Sequence, residues 1–114
     1  MTNYATGHLA EKYAAEYLEG QGYRILALNW RTKYCEVDII AIRKKRLYFI
    51  EVKYRKNSDQ GKGLEYITAK KLNQMKFAAK FWATENQWNR DYTLGAIEVS
   101  GPNFAVTQFL PDVL

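Results

Sequence analysis

The sequence predicts an α/β fold in which a central mixed β-sheet is flanked by helices. Two separated segments carry helical periodicity, β-rich runs with two-residue alternation lie between and after them, and the chain has 114 residues, the size of one domain. The predicted order is α-β-β-β-α-β-β. Three strands ahead of a crossover helix call for a mixed rather than a purely antiparallel sheet. The expected organisation is a single domain over 1–114.

"GHLAEKYAAEYLEGQGY" reads as an amphipathic helix ended at Gly20 or Gly22. At about 100° per residue, Leu9, Ala10, Tyr13, Ala14, Tyr17 and Leu18 fill one half of its wheel. Glu11 falls about 20° beyond Leu18, so it is the one acid of this helix that can look inward. Strands follow at 23–32, 36–42 and 46–55, the last two joined by a tip around "RKKR". "NSDQGKG" (57–63) is a polar, Gly-containing loop. "LEYITAKKLNQMKFAAKFWATEN" reads as a long second helix with Leu64, Ile67, Leu72, Met75, Ala78, Ala79 and Trp82 on its buried stripe. "YTLGAIEV" and "FAVTQFL" read as two late strands separated by the turn signal "SGPN". Gly95 weakens the first of these, because glycine packs nothing.

Composition narrows the function classes. Net charge is +5 and the pI about 9.3, which points to an anionic partner, most commonly nucleic acid. Cys35 is the only cysteine and His8 the only histidine, so an internal disulfide and a finger-type zinc site are excluded. The N-terminus lacks a basic-then-apolar signal pattern, and no apolar run approaches the roughly 18 residues that span a membrane. A cytoplasmic protein is expected.

The chemistry concentrates in "CEVDIIAIRKKRLYFIEVKYRK". If the loop centred on Lys44–Lys45 holds an even number of residues, Ile42 faces Leu47, Ile40 faces Phe49, Asp38 faces Glu51 and Glu36 faces Lys53. All eight side chains then share one sheet face. The opposite face carries Val37, Ile39, Ala41, Tyr48, Ile50, Val52 and Tyr54 and is almost wholly apolar. An odd-length loop would scramble both faces. In the even register Asp38 and Glu51 are cross-strand neighbours about 5 Å apart at Cβ, and like charges so placed destabilise a sheet. Lys53 on the same face can offset them. So can a divalent cation, since Mg²⁺ takes one or two carboxylates plus water and phosphate oxygens. The plain structural alternative is an exposed face whose acids pair with Lys53 and Arg55. From Arg43 to Lys56 there are seven Lys/Arg and one acid, a surround suited to phosphate.

Asp38 followed by Glu51-Val52-Lys53 on the adjoining strand resembles the PD-(D/E)-x-K nuclease signature. "GHLAEKYAAEYL", "GYRILALNWR", "EVDIIA", "FIEVKYRK" and "ITAKKLNQMKFAAKFW", in this order and spacing, look like the YraN family of predicted endonucleases, over about Gly7 to Trp82. The resemblance implies a restriction-endonuclease-like fold and hydrolysis of DNA phosphodiesters with Mg²⁺ or Mn²⁺, and relatedness to resolvases points to branched or flapped substrates. Asp38, Glu51 and the Val52 backbone carbonyl would hold the metal, with Glu11 reaching it directly or through water. Lys53 would orient or deprotonate the attacking water or stabilise charge on the phosphate, and Glu36 matches a family acid two residues before the aspartate. Ala10 and Cys35 stand where the family usually has glycine, Gly95 where it has Asp, and Val37 where the signature's name has proline.

The resemblance also includes a lysine at Lys71, which lies about 40° from Ile67 inside the second helix's apolar stripe and is expected to reach the site or a phosphate. Arg55, Lys56 and the tip residues Arg43, Lys44 and Lys45 are further candidate backbone contacts. His8 and Cys35 are read as ordinary helix and packing residues, and Trp82, Trp88 and the tyrosines of the first helix as core or dimer contacts. Gln60–Gly63 is expected to order on DNA. A homodimer is expected, since one small domain cuts one strand. Two other classes compete with the nuclease: a non-catalytic nucleic-acid-binding module that keeps a relic metal site, and an interaction protein using its aromatic surface.

Overall fold

The structure is a computed structural model and describes residues 2–56 and 67–114. The expected loop at 57–63, Leu64 and the first residues of the expected second helix lie outside the described residues. Helix α1 (Asn3–Gly20) is followed by strands β1 (Arg24–Arg31), β2 (Glu36–Arg43) and β3 (Arg46–Arg55), helix α2 (Ala69–Glu85), and strands β4 (Tyr92–Ser100) and β5 (Ala105–Leu110). The five strands form one sheet in the order β1-β2-β3-β4-β5. β3 and β4 run parallel across the α2 connection, and the other neighbours are antiparallel. This is the predicted α-β-β-β-α-β-β mixed sheet.

α1 begins earlier than its apolar pattern indicates, because Thr2 caps it: the Thr2 hydroxyl accepts the Ala5 N–H at 3.0 Å. It ends ahead of Gly22, whose φ of +94° a side chain rarely adopts. Its buried face is Ala10, Ala14, Ala15 and Leu18. Small side chains there let the helix lie close on the sheet, and this rotates Tyr13 outward, 40% exposed and stacked on Phe104 rather than in the predicted buried arc. α2 is capped by Thr68, whose hydroxyl accepts the Lys71 N–H at 3.1 Å. Met75, Ala78, Ala79 and Ala83 are buried, with Ile67, Leu72 and Trp82 packed beside them, matching the predicted stripe over its described part.

Alternation along the strands divides the core between the two helices. Ile39, Ala41, Tyr48, Ile50, Ile97 and Val99 pack with α1. Ile40, Leu47, Phe49 and Leu94 pack with α2. The β2–β3 register is the even one, with Ile42 opposite Leu47 and Ile40 opposite Phe49. Lys44 and Lys45 form a two-residue turn with φ of +51° and +67°. Both central residues of a type I′ turn need positive φ, and its twist matches the strands so well that the hairpin forms without Asn-Gly.

β4 is central and buried from Thr93 to Ser100. Gly95 does not weaken it. A Cβ there would lie 3.0 Å from the Leu110 carbonyl oxygen and 3.1 Å from that of Pro111. The missing side chain is what admits the C-terminal segment against the sheet. Among the described residues, no helix is long and apolar enough to cross a membrane.

Candidate functional site

The acids gather where β2 and β3 part. The paired residues of this ladder run from Arg43↔Arg46 to Ile39↔Ile50 and stop there. One residue further, Asp38 Oδ2 accepts the Val52 N–H at 2.8 Å, so a side chain satisfies a main-chain donor of β3. A strand residue's N–H and C=O point to the same edge, so the Val52 carbonyl faces this gap too. The alternation breaks at the same point: Ile39 packs with α1 while Val37, two residues before it, packs with α2. Val37 was expected beside Ile39. The β2–β3 pairing that would keep them together ends here.

Burial pushes the Asp38 carboxyl up to about 8; the Glu51 charge and a hydrogen bond shared with it add to the rise, and the Val52 N–H opposes it. Glu51 is held by Lys71, whose Nζ lies 2.5 Å from Glu51 Oε2. Burial alone would lower the Lys71 ammonium, but the hydrogen bond and charge of Glu51, with Asp38 and Glu36 beyond, raise it. Lys71 thus reaches Glu51. Glu11 is half-buried, and its Oε1 is buried with no hydrogen-bond partner among the described residues. Burial raises its carboxyl too, against the charges of His8 and Arg31, with Glu36 and Glu51 raising it further. Glu11, Asp38 and Glu51 therefore share one electrostatic neighbourhood. Among the described residues, however, no three His, Cys, Asp or Glu side chains close tightly enough to form a metal-holding group.

Glu36 is exposed and stands opposite Arg31 of β1, with which it forms a 3.5 Å ion pair, rather than opposite Lys53. β2 stays with β1 after it has left β3. Such an exposed pair contributes at most about 1 kcal/mol. Lys53 is exposed, two residues from Glu51 on β3, and its partner position on β4 is Glu98. Arg55 lies inward: its Nε is 2.6 Å from Glu98 Oε2, and the Thr107 hydroxyl donates to Glu98 Oε1 at 2.7 Å. Glu98 was missed at the sequence level, although an acid in the apolar run "GAIEVS" was its signal. Lys56 is exposed just beyond β3. The tip residues Arg43, Lys44 and Lys45 sit at the other end of the hairpin, five to seven residues along β2 and its turn from Asp38, or roughly 20 Å. There the Arg43 Nε donates to the Gln21 carbonyl at 3.2 Å. Cys35 packs beside the α2-side core, its Sγ 3.6 Å from the Thr32 hydroxyl, and Trp82 meets Phe49 edge-on, as core readings of both residues require.

A cleft of about 980 Å³ opens beside Glu51 and Glu36. The β1–β2 turn, with Arg31, Lys33 and Tyr34, lines one wall, and α2, with Lys70, Lys71 and Phe77, the other. Arg31, Lys33 and Lys70 were not anticipated, since only the tertiary approach of the turn to α2 brings them together.

Residues 10–101 match the model of the family described as Uncharacterised protein family UPF0102. A UPF0102 protein of Pseudomonas fluorescens is 38% identical over 84 residues, covering 73% of this chain and 70% of the relative. One from Herpetosiphon aurantiacus is 33% identical over 101 residues, covering 84% and 82%. One from Lachnoclostridium phytofermentans is 40% identical over 87 residues, covering 76% and 74%. On this match over most of its length, with the acids and the strands that carry them inside the matched span, the chain belongs to the UPF0102 family.

Proposed function

We propose that this protein is a divalent-metal-dependent endonuclease of the PD-(D/E)-x-K type, as its YraN-like motifs imply, hydrolysing phosphodiester bonds of DNA, branched or flapped forms included. The observation that carries the reading is the half-buried Asp38 carboxyl held against Glu51, which lines a basic cleft. Two apposed acids in a structural role would be kept apart or each given a cation. Here Lys71 pairs with Glu51, while Asp38 accepts the Val52 N–H and shares a hydrogen bond with Glu51.

Two carboxylates, a main-chain carbonyl and water make a donor set that Mg²⁺ accepts. Asp38, Glu51 and the Val52 carbonyl would hold Mg²⁺ or Mn²⁺, and the unpartnered Oε1 of Glu11 supports a water-bridged place for that residue. When bound, the ion supplies positive charge to phosphoryl oxygens and lowers the pKa of a coordinated water. The chain's own residues do the rest. Val52 N–H orients Asp38, and Lys71 fixes the Glu51 carboxylate. Lys53, exposed beside Glu51, offers a positive charge to the phosphate or the attacking water. Arg31, Lys33 and Lys70 attract the nucleic-acid backbone into the cleft.

The test is incubation of purified protein with several DNA forms and Mg²⁺ or Mn²⁺ beside an Asp38→Ala/Glu51→Ala control, together with calorimetry of divalent-ion binding. Cleavage and metal binding that both vanish in the control support the reading. DNA binding with neither would assign a non-catalytic nucleic-acid-binding module instead. Sedimentation equilibrium tests the accompanying proposal of a homodimer, and a monomer at micromolar concentration would exclude it.

A further inference from the structure

The cleft has an aromatic side that the chemistry above does not use. Tyr34 is 65% exposed and Phe77 55% exposed, large values for such side chains. Both rings pack on Phe81, each 6.2 Å away between centroids, and Phe81 in turn meets Trp30 at 6.1 Å. Four aromatic rings drawn from β1, the β1–β2 turn and α2 thus form one patch. It is continuous with the acids, because Tyr34 and Phe77 line the same cleft as Glu51 and Lys71. Beyond Phe77 the surface dips again into a depression of about 370 Å³ bounded by Phe77, Lys80 and Phe81.

Charge selects the occupant. Lys33 places its ammonium 5.2 Å from the centre of the Tyr34 ring, and Lys70 and Lys80 are exposed on α2 nearby. Aromatic rings interleaved with lysines are the surface that single-stranded nucleic acid uses: rings stack bases and lysines track phosphates. Paired bases present no open π-face, so duplex cannot use it.

We propose that Tyr34 and Phe77 stack unpaired bases of a single-stranded nucleic acid laid along this cleft. The proposal rests on the nuclease reading for what the strand is delivered to, and it makes the substrate a single strand or the unpaired arm of a junction rather than plain duplex.

The experiment is fluorescence anisotropy in EDTA, where cleavage is suppressed, with a labelled 12-nucleotide strand, the corresponding duplex and an abasic strand of the same length. The base-bearing strand, as DNA or RNA, is expected to bind about tenfold or more tighter than the abasic one. Tyr34→Leu and Phe77→Leu should each lose about tenfold on the base-bearing strand and leave the abasic strand unchanged, while Phe77→Tyr keeps the wild-type affinity. Equal affinity for base-bearing and abasic strands would overturn the proposal. So would leucine variants that bind like wild type, or variants that shift only a monomer–dimer equilibrium in sedimentation, which would make the patch a self-association surface. Both positions are exposed, so leucine does not disturb the core, and a thermal melt checks this. Because no cleavage is read, stacking can fail while the nuclease reading holds, and the Asp38→Ala/Glu51→Ala control can fail while stacking holds.

Discussion

Replacing Asp38 by Asn tests the electrostatics of the site without any assumption about its substrate. The Asp38 carboxyl has an ordinary value of 3.8 and is pushed up to about 8 in the folded protein, first by burial and then by Glu51. Between these values the native state holds a proton that the unfolded chain has released. Stability is therefore fully present below about pH 4 and is lost as pH rises towards 8. If the whole change sat on one carboxyl, the loss would be about 6 kcal/mol, at about 1.4 kcal/mol per pH interval. Water in the open cleft screens the carboxyl, so a loss of about 3 kcal/mol is the working expectation. Asn keeps an oxygen that can accept the Val52 N–H and removes the charge. Urea denaturation from pH 5 to 9 in EDTA should show wild-type stability falling across that range and a flatter profile for Asp38→Asn, which should exceed wild type by about 3 kcal/mol at pH 9. Parallel profiles, or wild-type stability rising between pH 5 and 8, would refute the reasoning.

Further outcomes follow from single contacts. Arg55→Met should cost about 3–5 kcal/mol in a urea melt, because it strands the buried Glu98 carboxylate, and adding Glu98→Leu should recover most of the loss. Gly95→Ala should cost about 1–3 kcal/mol, since its Cβ meets two main-chain carbonyls rather than a yielding side chain. Changing Lys44-Lys45 to Asn-Gly should raise stability by about 1 kcal/mol, measured the same way, because both positions need positive φ. Lys71→Met should lower stability by about 1 kcal/mol at pH 7, where its ion pair with Glu51 is lost, and abolish any cleavage that depends on Glu51 being fixed.

Much of the architecture was legible in local patterns. The two helices, the five strands and the α2 stripe follow from periodicity, and the hairpin register follows from requiring one apolar face, since a one-residue slip would expose Ile39 and Ile50. The same argument put Asp38, Glu51 and Lys53 on one face, helical periodicity singled out Glu11 and Lys71, and the family resemblance joined Glu11 to the acids. Those readings depend only on where successive side chains point along one element.

Tertiary structure decided the rest, because it depends on what approaches from another element or on where pairing stops. The β2–β3 ladder ends before Asp38, so that carboxylate meets a main-chain N–H instead of a facing strand, and Glu36 goes with Arg31 instead of Lys53. Glu98 on β4 draws Arg55 inward, an attraction across the sheet that leaves no trace in the alternation of β3. Gly95 looked like a weakness until the carbonyls of Leu110 and Pro111 supplied the reason for it. The aromatic patch exists only because the β1–β2 turn folds against α2, joining Trp30 and Tyr34 to Phe77 and Phe81 across about 50 residues of chain. Periodicity records the face a residue occupies; the partner that face meets is set by the packing of whole elements.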